Sequence, residues 1–174
     1  ARRFAESSKR MCMPVIPEEM FVECVRKLVE IDSNWINSEP GFSLYIRPFM
    51  YAIDPYVGIR PSDSYRFVIF TCPVGAYYSE PVNVKIEEFY TRAAAGGVGR
   101  AKVAGNYGSS MFPAKIGQEL GFHQLLWTDA KTHTFIEESG TMNIMLMIDG
   151  VLITPSEESD TILRTRQQVA MHNG

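Results

Sequence analysis

The sequence has 174 residues, 45% of them hydrophobic and 21% charged, with a formal net charge of −3. That is the composition of a soluble globular protein with one good core or parts of two lobes. Its slight acidity gives no reason to expect nucleic acid or an anionic membrane surface as a partner. No apolar run approaches the roughly 18 residues of a membrane span, and the opening Ala1-Arg2-Arg3-Phe4-Ala5-Glu6 is not a signal peptide. Cys12, Cys24 and Cys72 are odd in number and lack Cys-x-x-Cys spacing, so neither a disulfide framework nor a zinc site is expected. His123, His133 and His172 add no metal-ligand cluster, and a reducing cytoplasm is the expected setting. The chain opens without methionine inside a helical pattern and closes on Met171-His172-Asn173-Gly174, so both ends are expected to be cut.

Arg3 to Arg10 reads as a helix, with Phe4, Ser7, Ser8 and Met11 at helical spacing and Pro14 as its stop. Pro17-Glu18-Glu19 opens a second helix, with Pro in the first turn and two acids complementing the dipole. Its stripe of Met20, Phe21, Cys24, Val25, Leu28 and Val29 is expected to be core. Ser43 to Ile53 reads as a strand in which Pro48 favours an edge or bulge. Tyr45 and Arg47, two residues apart, share one of its faces. Tyr65 to Cys72 is a second strand, Pro73 to Tyr78 a turn-rich aromatic segment, and Val82 to Glu87 a third strand. The composition shifts around Ser79 to Glu88, which marks a join between residues 1–80 and 81–174. Beyond it, Asn106 is expected to cap a helix running to about Leu120 and ending at Gly121. Strands are expected at His123 to Thr128 and Thr134 to Glu137, and a hairpin at Met142 to Thr154 around the Asp149-Gly150 turn. Leu163 to Met171 reads as helix.

Two stretches carry chemistry. In Gly96-Gly97-Val98-Gly99-Arg100-Ala101-Lys102-Val103-Ala104-Gly105-Asn106-Tyr107-Gly108, one lysine sits among five glycines and two alanines. Glycine lets backbone approach a ligand closely, and lysine is the amine that forms Schiff bases with aldehydes once desolvated. Alone, the stretch also reads as a surface loop with a solvated lysine. In Glu137-Glu138-Ser139-Gly140-Thr141-Met142-Asn143, an acid adjoins a small-residue turn whose free N–H groups could face an anion. Alone, that stretch also reads as an exposed acidic hairpin.

Together with Ser43-Leu44-Tyr45-Ile46-Arg47-Pro48, Cys72-Pro73-Val74-Gly75-Ala76-Tyr77 and Gln124-Leu125-Leu126-Trp127, these stretches closely resemble the branched-chain amino acid aminotransferases of the bacterial type. With Gly96-Gly97-Val98-Gly99 and Lys102-Val103-Ala104-Gly105-Asn106-Tyr107 counted separately, six motifs fall in that family's order, from Arg3 to about Leu163. The resemblance implies an α/β, two-lobed fold type IV pyridoxal-phosphate enzyme. Residues 1–80 would be most of the small lobe, and 81–174 the first half of the cofactor lobe. It also implies pyridoxal 5'-phosphate as cofactor, with no metal. Lys102 would carry the cofactor covalently and shuttle a proton, Glu138 would face the pyridine nitrogen, Tyr107 the phenolic oxygen, and Arg3 the phosphate. A ring nitrogen kept protonated by a carboxylate is what makes such a cofactor an electron sink. Thr141 would receive the substrate α-carboxylate, Tyr45 and Tyr77 would wall an aliphatic pocket, and Arg47 would pair with a γ-carboxylate. The implied reaction moves an amino group between leucine, isoleucine or valine and 2-oxoglutarate, giving branched-chain 2-oxo acids and glutamate. A homodimer or higher homo-oligomer is the expected assembly.

Two departures stand out. Ala104 replaces a usual glycine, and Thr161-Ile162-Leu163-Arg164-Thr165-Arg166 lacks the glycine of the family's phosphate-binding turn. Alternatives are a D-amino-acid aminotransferase or an aminodeoxychorismate lyase of the same fold, and a non-catalytic fragment unable to hold the cofactor.

Overall fold

The computed structural model describes residues 1–75, 80–140 and 142–155. The chain divides into two compact units, Ala1–Glu80 and Pro81–Gly174, and each is taken by itself. The helix expected at Leu163 to Met171 and the departure at Thr161 to Arg166 lie outside the described residues.

In the first unit, helices α1 (Arg2–Arg10) and α2 (Glu18–Ile31) are followed by strands β1 (Ser43–Ala52) and β2 (Tyr65–Val74). The strands pair antiparallel from Ser43↔Val74 to Ala52↔Tyr65. Pro48 is accommodated because each strand of a two-stranded sheet keeps a free edge, where a missing N–H costs no ladder bond. β2 runs two residues further than the sequence suggests, and Pro73 lies opposite Leu44. One face meets the helices through Phe4, Phe21 and Phe67, whose ring centroids stand 5.4 to 5.8 Å apart. Contacts of that kind are worth about 0.5–1.5 kcal/mol each beyond area burial.

The α2 stripe is not the expected core. Phe21, Val25, Leu28 and Val29 are half-buried, but Met20 and Cys24 are exposed. Two helices on one face of a two-stranded sheet are too thin a layer to enclose a full stripe. Pro17 also stands just outside α2, at its N-cap with ψ 141°, rather than in the first turn. The other sheet face presents Tyr45, Arg47, Phe49 and Tyr51 as exposed side chains.

The buried hydrophobic residues described all lie in the second unit. Strands β3 (Val84–Glu87), β4 (Gln124–Thr128) and β5 (Ile136–Ser139) form one sheet, parallel between β3 and β4 and antiparallel between β4 and β5. Leu125, Leu126, Trp127 and Thr128 are all buried. Such a continuous run, without alternation, marks a strand covered on both faces. Two short helices, α3 (Ala104–Gly108) and α4 (Met111–Glu119), lead into β4 through Gly121 at φ 85°. Strands β6 (Leu146–Ile148) and β7 (Val151–Ile153) form a hairpin whose turn residues Asp149 and Gly150 both have positive φ, as the Asp-Gly signal requires.

Two sequence expectations need correction here. The single helix capped by Asn106 is instead α3 and α4, broken at Ser109-Ser110, and Asn106 lies inside α3 with Val103 at the N-cap. β5 begins at Ile136 rather than Thr134, because the Asp129 carboxylate takes the backbone N–H groups of Thr134 (2.7 Å) and Phe135 (2.8 Å).

The Asp129 carboxylate also accepts from the Thr132 N–H at 2.7 Å. The Phe135 N–H foremost holds its carboxyl well below the usual range; burial, next in size, opposes it, and the Thr132 and Thr134 groups add to the lowering. A lowered folded-state value means the stabilisation is complete above the unfolded value of about 4 and is lost as pH falls through the folded one. The stability advantage of the parent over Asp129→Asn should therefore be full at about pH 6 and shrink steadily below about pH 4. Thermal unfolding midpoints across that range check it, and a pH-independent gap would show that the charge is not what holds the turn.

Candidate active site

The glycine-rich stretch folds back on itself before it delivers Lys102. The Gly97 N–H bonds the Ala94 carbonyl at 2.9 Å, and the Ala101 N–H bonds the Val98 carbonyl at 3.0 Å. Gly96 sits at φ 75°, and a Cβ on Gly97 would meet the Ala94 oxygen at 2.9 Å. These two positions need glycine for conformation and for space. Asn106, 4% exposed, pins the loop by donating from Nδ2 to the Val98 (3.0 Å) and Ala101 (2.7 Å) carbonyls. Both carbonyls already accept a backbone N–H, from Ala101 and Val103 respectively, so the buried amide fills their second lone pairs and ties the two turns together.

Lys102 itself is exposed. Its Nζ lies 4.5 Å from the Tyr107 ring centroid and is hydrogen-bonded to the Tyr107 hydroxyl. α3 makes this meeting possible, since it begins two residues after Lys102 and winds the chain back so that Tyr107 returns toward it across four intervening residues.

Glu138 is not an exposed hairpin acid. It is 2% exposed, among the largest fully buried side chains described, and its Oε1 stands 3.2 Å from Nε of Arg92. The Arg92 side chain is itself only 3% exposed, and among the described residues its Nη1 and Nη2 have no hydrogen-bond partner. Nε1 of Trp127 is likewise buried without one. Trp127 pairs with Glu138 across β4 and β5, and pairs with Glu87 across β3 and β4. The three side chains therefore form one row on one face of the sheet. Three donors buried without acceptors, beside a buried carboxylate, are costly unless a ligand supplies the acceptors.

A cavity of about 210 Å³ adjoins this region, lined by Tyr107, Ser110, Ala114, Gln124, Trp127 and Gly140 among others. It brings Tyr107 to the residues flanking Glu138, although neither Lys102 nor Glu138 lines it. Thr141 lies outside the described residues, and the N–H groups on either side of it are engaged. The Gly140 N–H is taken by the Leu125 carbonyl at 2.9 Å and the Met142 N–H by the Ser139 carbonyl at 3.3 Å, so neither is left for an anion. The first bond joins the end of β5 to β4, and the second folds the chain back on Ser139.

In the first unit, Tyr45 and Arg47 lie on the same exposed face as expected. The guanidinium donates to the Tyr45 hydroxyl at 2.6 Å and stands 5.1 Å from its ring centroid. Arg3 is exposed on the first turn of α1, beside the buttressed Phe4. Tyr77 and Thr141 lie outside the described residues. Sequence reasoning missed Arg92, Trp127 and Asn106 as builders of the site. The one available signal was an arginine set directly before Ala93-Ala94-Ala95. No cluster of metal-ligating side chains is present among the described residues, and no helix there is long and apolar enough to cross a membrane.

The fold is that of the fold type IV aminotransferases. The chain superposes on the branched-chain aminotransferase of Thermoproteus uzoniensis, solved with norvaline, with a TM-score of 0.83 and 23% identity over 99% of this chain and 57% of that one. A branched-chain aminotransferase solved with pyridoxamine 5'-phosphate gives a TM-score of 0.78 at 21% identity, over 99% of this chain and 55% of that one. No protein-family model matches the chain.

In sequence it resembles the branched-chain-amino-acid aminotransferases. It is 44% identical to branched-chain-amino-acid transaminase 1 of Bacillus subtilis over 159 residues, 89% of this chain and 45% of that protein. The chain thus spans about half the length of the curated relatives it matches.

Proposed function

We propose that this chain is part of a pyridoxal-phosphate-dependent transaminase. The enzyme would move amino groups between leucine, isoleucine or valine and 2-oxoglutarate, with the first unit as small lobe and the second as the start of the cofactor lobe. The observation that carries the reading is the buried Arg92–Glu138 pair with its unpartnered donors, in the same unit as Lys102 on Tyr107. These residues suit pyridoxal phosphate. An amine set beside a phenol meets its aldehyde and phenolic oxygen, and a fixed carboxylate meets its pyridinium nitrogen.

Bound there, the cofactor would supply an electron sink for chemistry at the amino-acid α-carbon. Lys102 would hold it through Nζ and would carry the substrate α-proton on that nitrogen. Tyr107 keeps Nζ in place and shares a proton through its hydroxyl. Glu138 would hold the proton on the ring nitrogen, and Arg92 holds that carboxylate in place by a charge-assisted contact. Arg3 is assigned to the phosphate and Thr141 to the substrate α-carboxylate. Tyr45 and Tyr77 are assigned to the aliphatic side chain. Arg47, braced by Tyr45, takes the distal carboxylate of glutamate, so one pocket serves a hydrocarbon and an acid.

The relatives' names and the norvaline complex support a straight-chain or branched aliphatic amino acid as substrate. The full-length protein with pyridoxal phosphate should convert L-leucine in the presence of 2-oxoglutarate and leave D-alanine untouched. Turnover of D-alanine at a comparable rate would move the assignment to the D-amino-acid branch of the fold. A protein that gains no cofactor absorption band would leave a non-catalytic fragment.

A further inference from the structure

We infer that Glu87 is a positioning residue for the Arg92–Glu138 pair, acting through the turn it ties between β3 and Arg92. The inference rests on the proposed reading of Glu138 as the carboxylate that meets the cofactor.

Arg92 comes from irregular chain after β3, not from a helix or strand. A guanidinium can hold a buried carboxylate only if its backbone is held first. Glu87, the last residue of β3, does that holding. Its Oε1 accepts the backbone N–H groups of Phe89 (3.1 Å) and Tyr90 (3.0 Å), which turns the chain as it leaves the sheet. Its Oε2 takes the Lys85 ammonium at 2.6 Å. The Tyr90 ring then packs edge-on against Phe112 of α4, 5.8 Å between centroids, and Phe89 packs on Tyr90 at 4.9 Å.

Burial works against this ionised carboxyl. The Lys85 ammonium and the two N–H groups outweigh it and hold Glu87 below the usual carboxylate range. The cross-strand row shows why such a device is needed. Glu87, Trp127 and Glu138 share one register and one buried face, so the sheet carries two enclosed carboxylates and needs a separate cation for each. Lys85 serves Glu87, and the turn made by Glu87 sends Arg92 to Glu138. The side chain of Thr128 closes the same corner by donating its hydroxyl to the Glu87 carbonyl.

The test uses the full-length protein loaded with pyridoxal phosphate, read in two ways. One is the absorption band of the bound cofactor at a single pH, which reports the state of its ring. The other is amide hydrogen exchange at Phe89 and Tyr90. Glu87→Leu keeps bulk but removes the acceptors, so exchange at both amides should rise at least about tenfold. The band should move to where Arg92→Met puts it. Glu87→Gln keeps an acceptor oxygen without the charge and should fall between parent and Glu87→Leu on both readouts, so it carries the test should Glu87→Leu not fold. Faster exchange with an unmoved band, in either variant, would make the turn a structural fastening only and overturn the inference. Glu138→Gln separates the two layers. If it leaves the band at the parent position, the reading of Glu138 fails. If it moves the band while the Glu87 variants do not, the positioning role alone fails.

Discussion

Borohydride reduction of the protein in the presence of pyridoxal phosphate should fix the cofactor on Lys102 and leave the other lysines unlabelled. Lys85 is engaged with Glu87 at 2.6 Å and Lys115 stands 3.9 Å from Glu119, so both are natural controls with carboxylate partners. Lys102 instead lies against a phenol, on a loop whose glycines leave room for a ring to approach. Peptide mapping after reduction reads the site of attachment. Lys102→Ala should then remove both the attachment point and the amine that carries the α-proton. Loss of such a proton carrier alone costs about 10²- to 10⁴-fold in rate. Label on any other lysine, or turnover in Lys102→Ala within a few-fold of the parent, would remove Lys102 from the chemistry.

The second large effect is expected at Glu138. Glu138→Gln keeps the shape but loses the charge at the ring nitrogen, which should cost on the order of 2–4 kcal/mol at the transition state, or about 30- to 1000-fold in rate. The buried partner adds a second consequence. Arg92 would be left as an uncompensated charge, and breaking a buried pair in this way costs about 3–5 kcal/mol of stability. The two effects come apart in the double variant Glu138→Gln/Arg92→Met, which removes both charges. Its unfolding midpoint should recover most of the loss, because a buried pair replaced by neutral groups is often near neutral. Its turnover should stay low. Recovery of both would mean that the carboxylate serves only to balance Arg92.

How much of this was legible in the sequence depended on the range of the interaction. The alternation that puts Tyr45 and Arg47 on one face is local, and the sequence announced it. The meeting of Lys102 with Tyr107 is equally local, but the sequence placed Tyr107 only against the cofactor, through the family resemblance. The burial of Glu138 could not be read locally, because Ile136-Glu137-Glu138-Ser139 shows no apolar alternation. It depends on a guanidinium from beyond the sheet's first strand and on the register of three strands. The late start of β5 followed from Asp129 capturing two amides that a strand would otherwise have used. Helix periodicity located α2 but overstated its core, since a stripe says which face is apolar and not how much covers it.

The buried row in the second unit also gives the protein an optical property. There are two tryptophans, one in each unit: Trp127 is 1% exposed, and Trp35, in a short 3₁₀ turn after α2, is 63% exposed. A shielded indole emits at the blue edge of tryptophan fluorescence and a hydrated one at the red edge. The emission envelope therefore contains two colours with two addresses, and following each edge during denaturation follows each unit by its own signal. Because Trp127 borders the cavity shared with Tyr107, occupancy there should dim the blue component first and leave the red one as an internal reference.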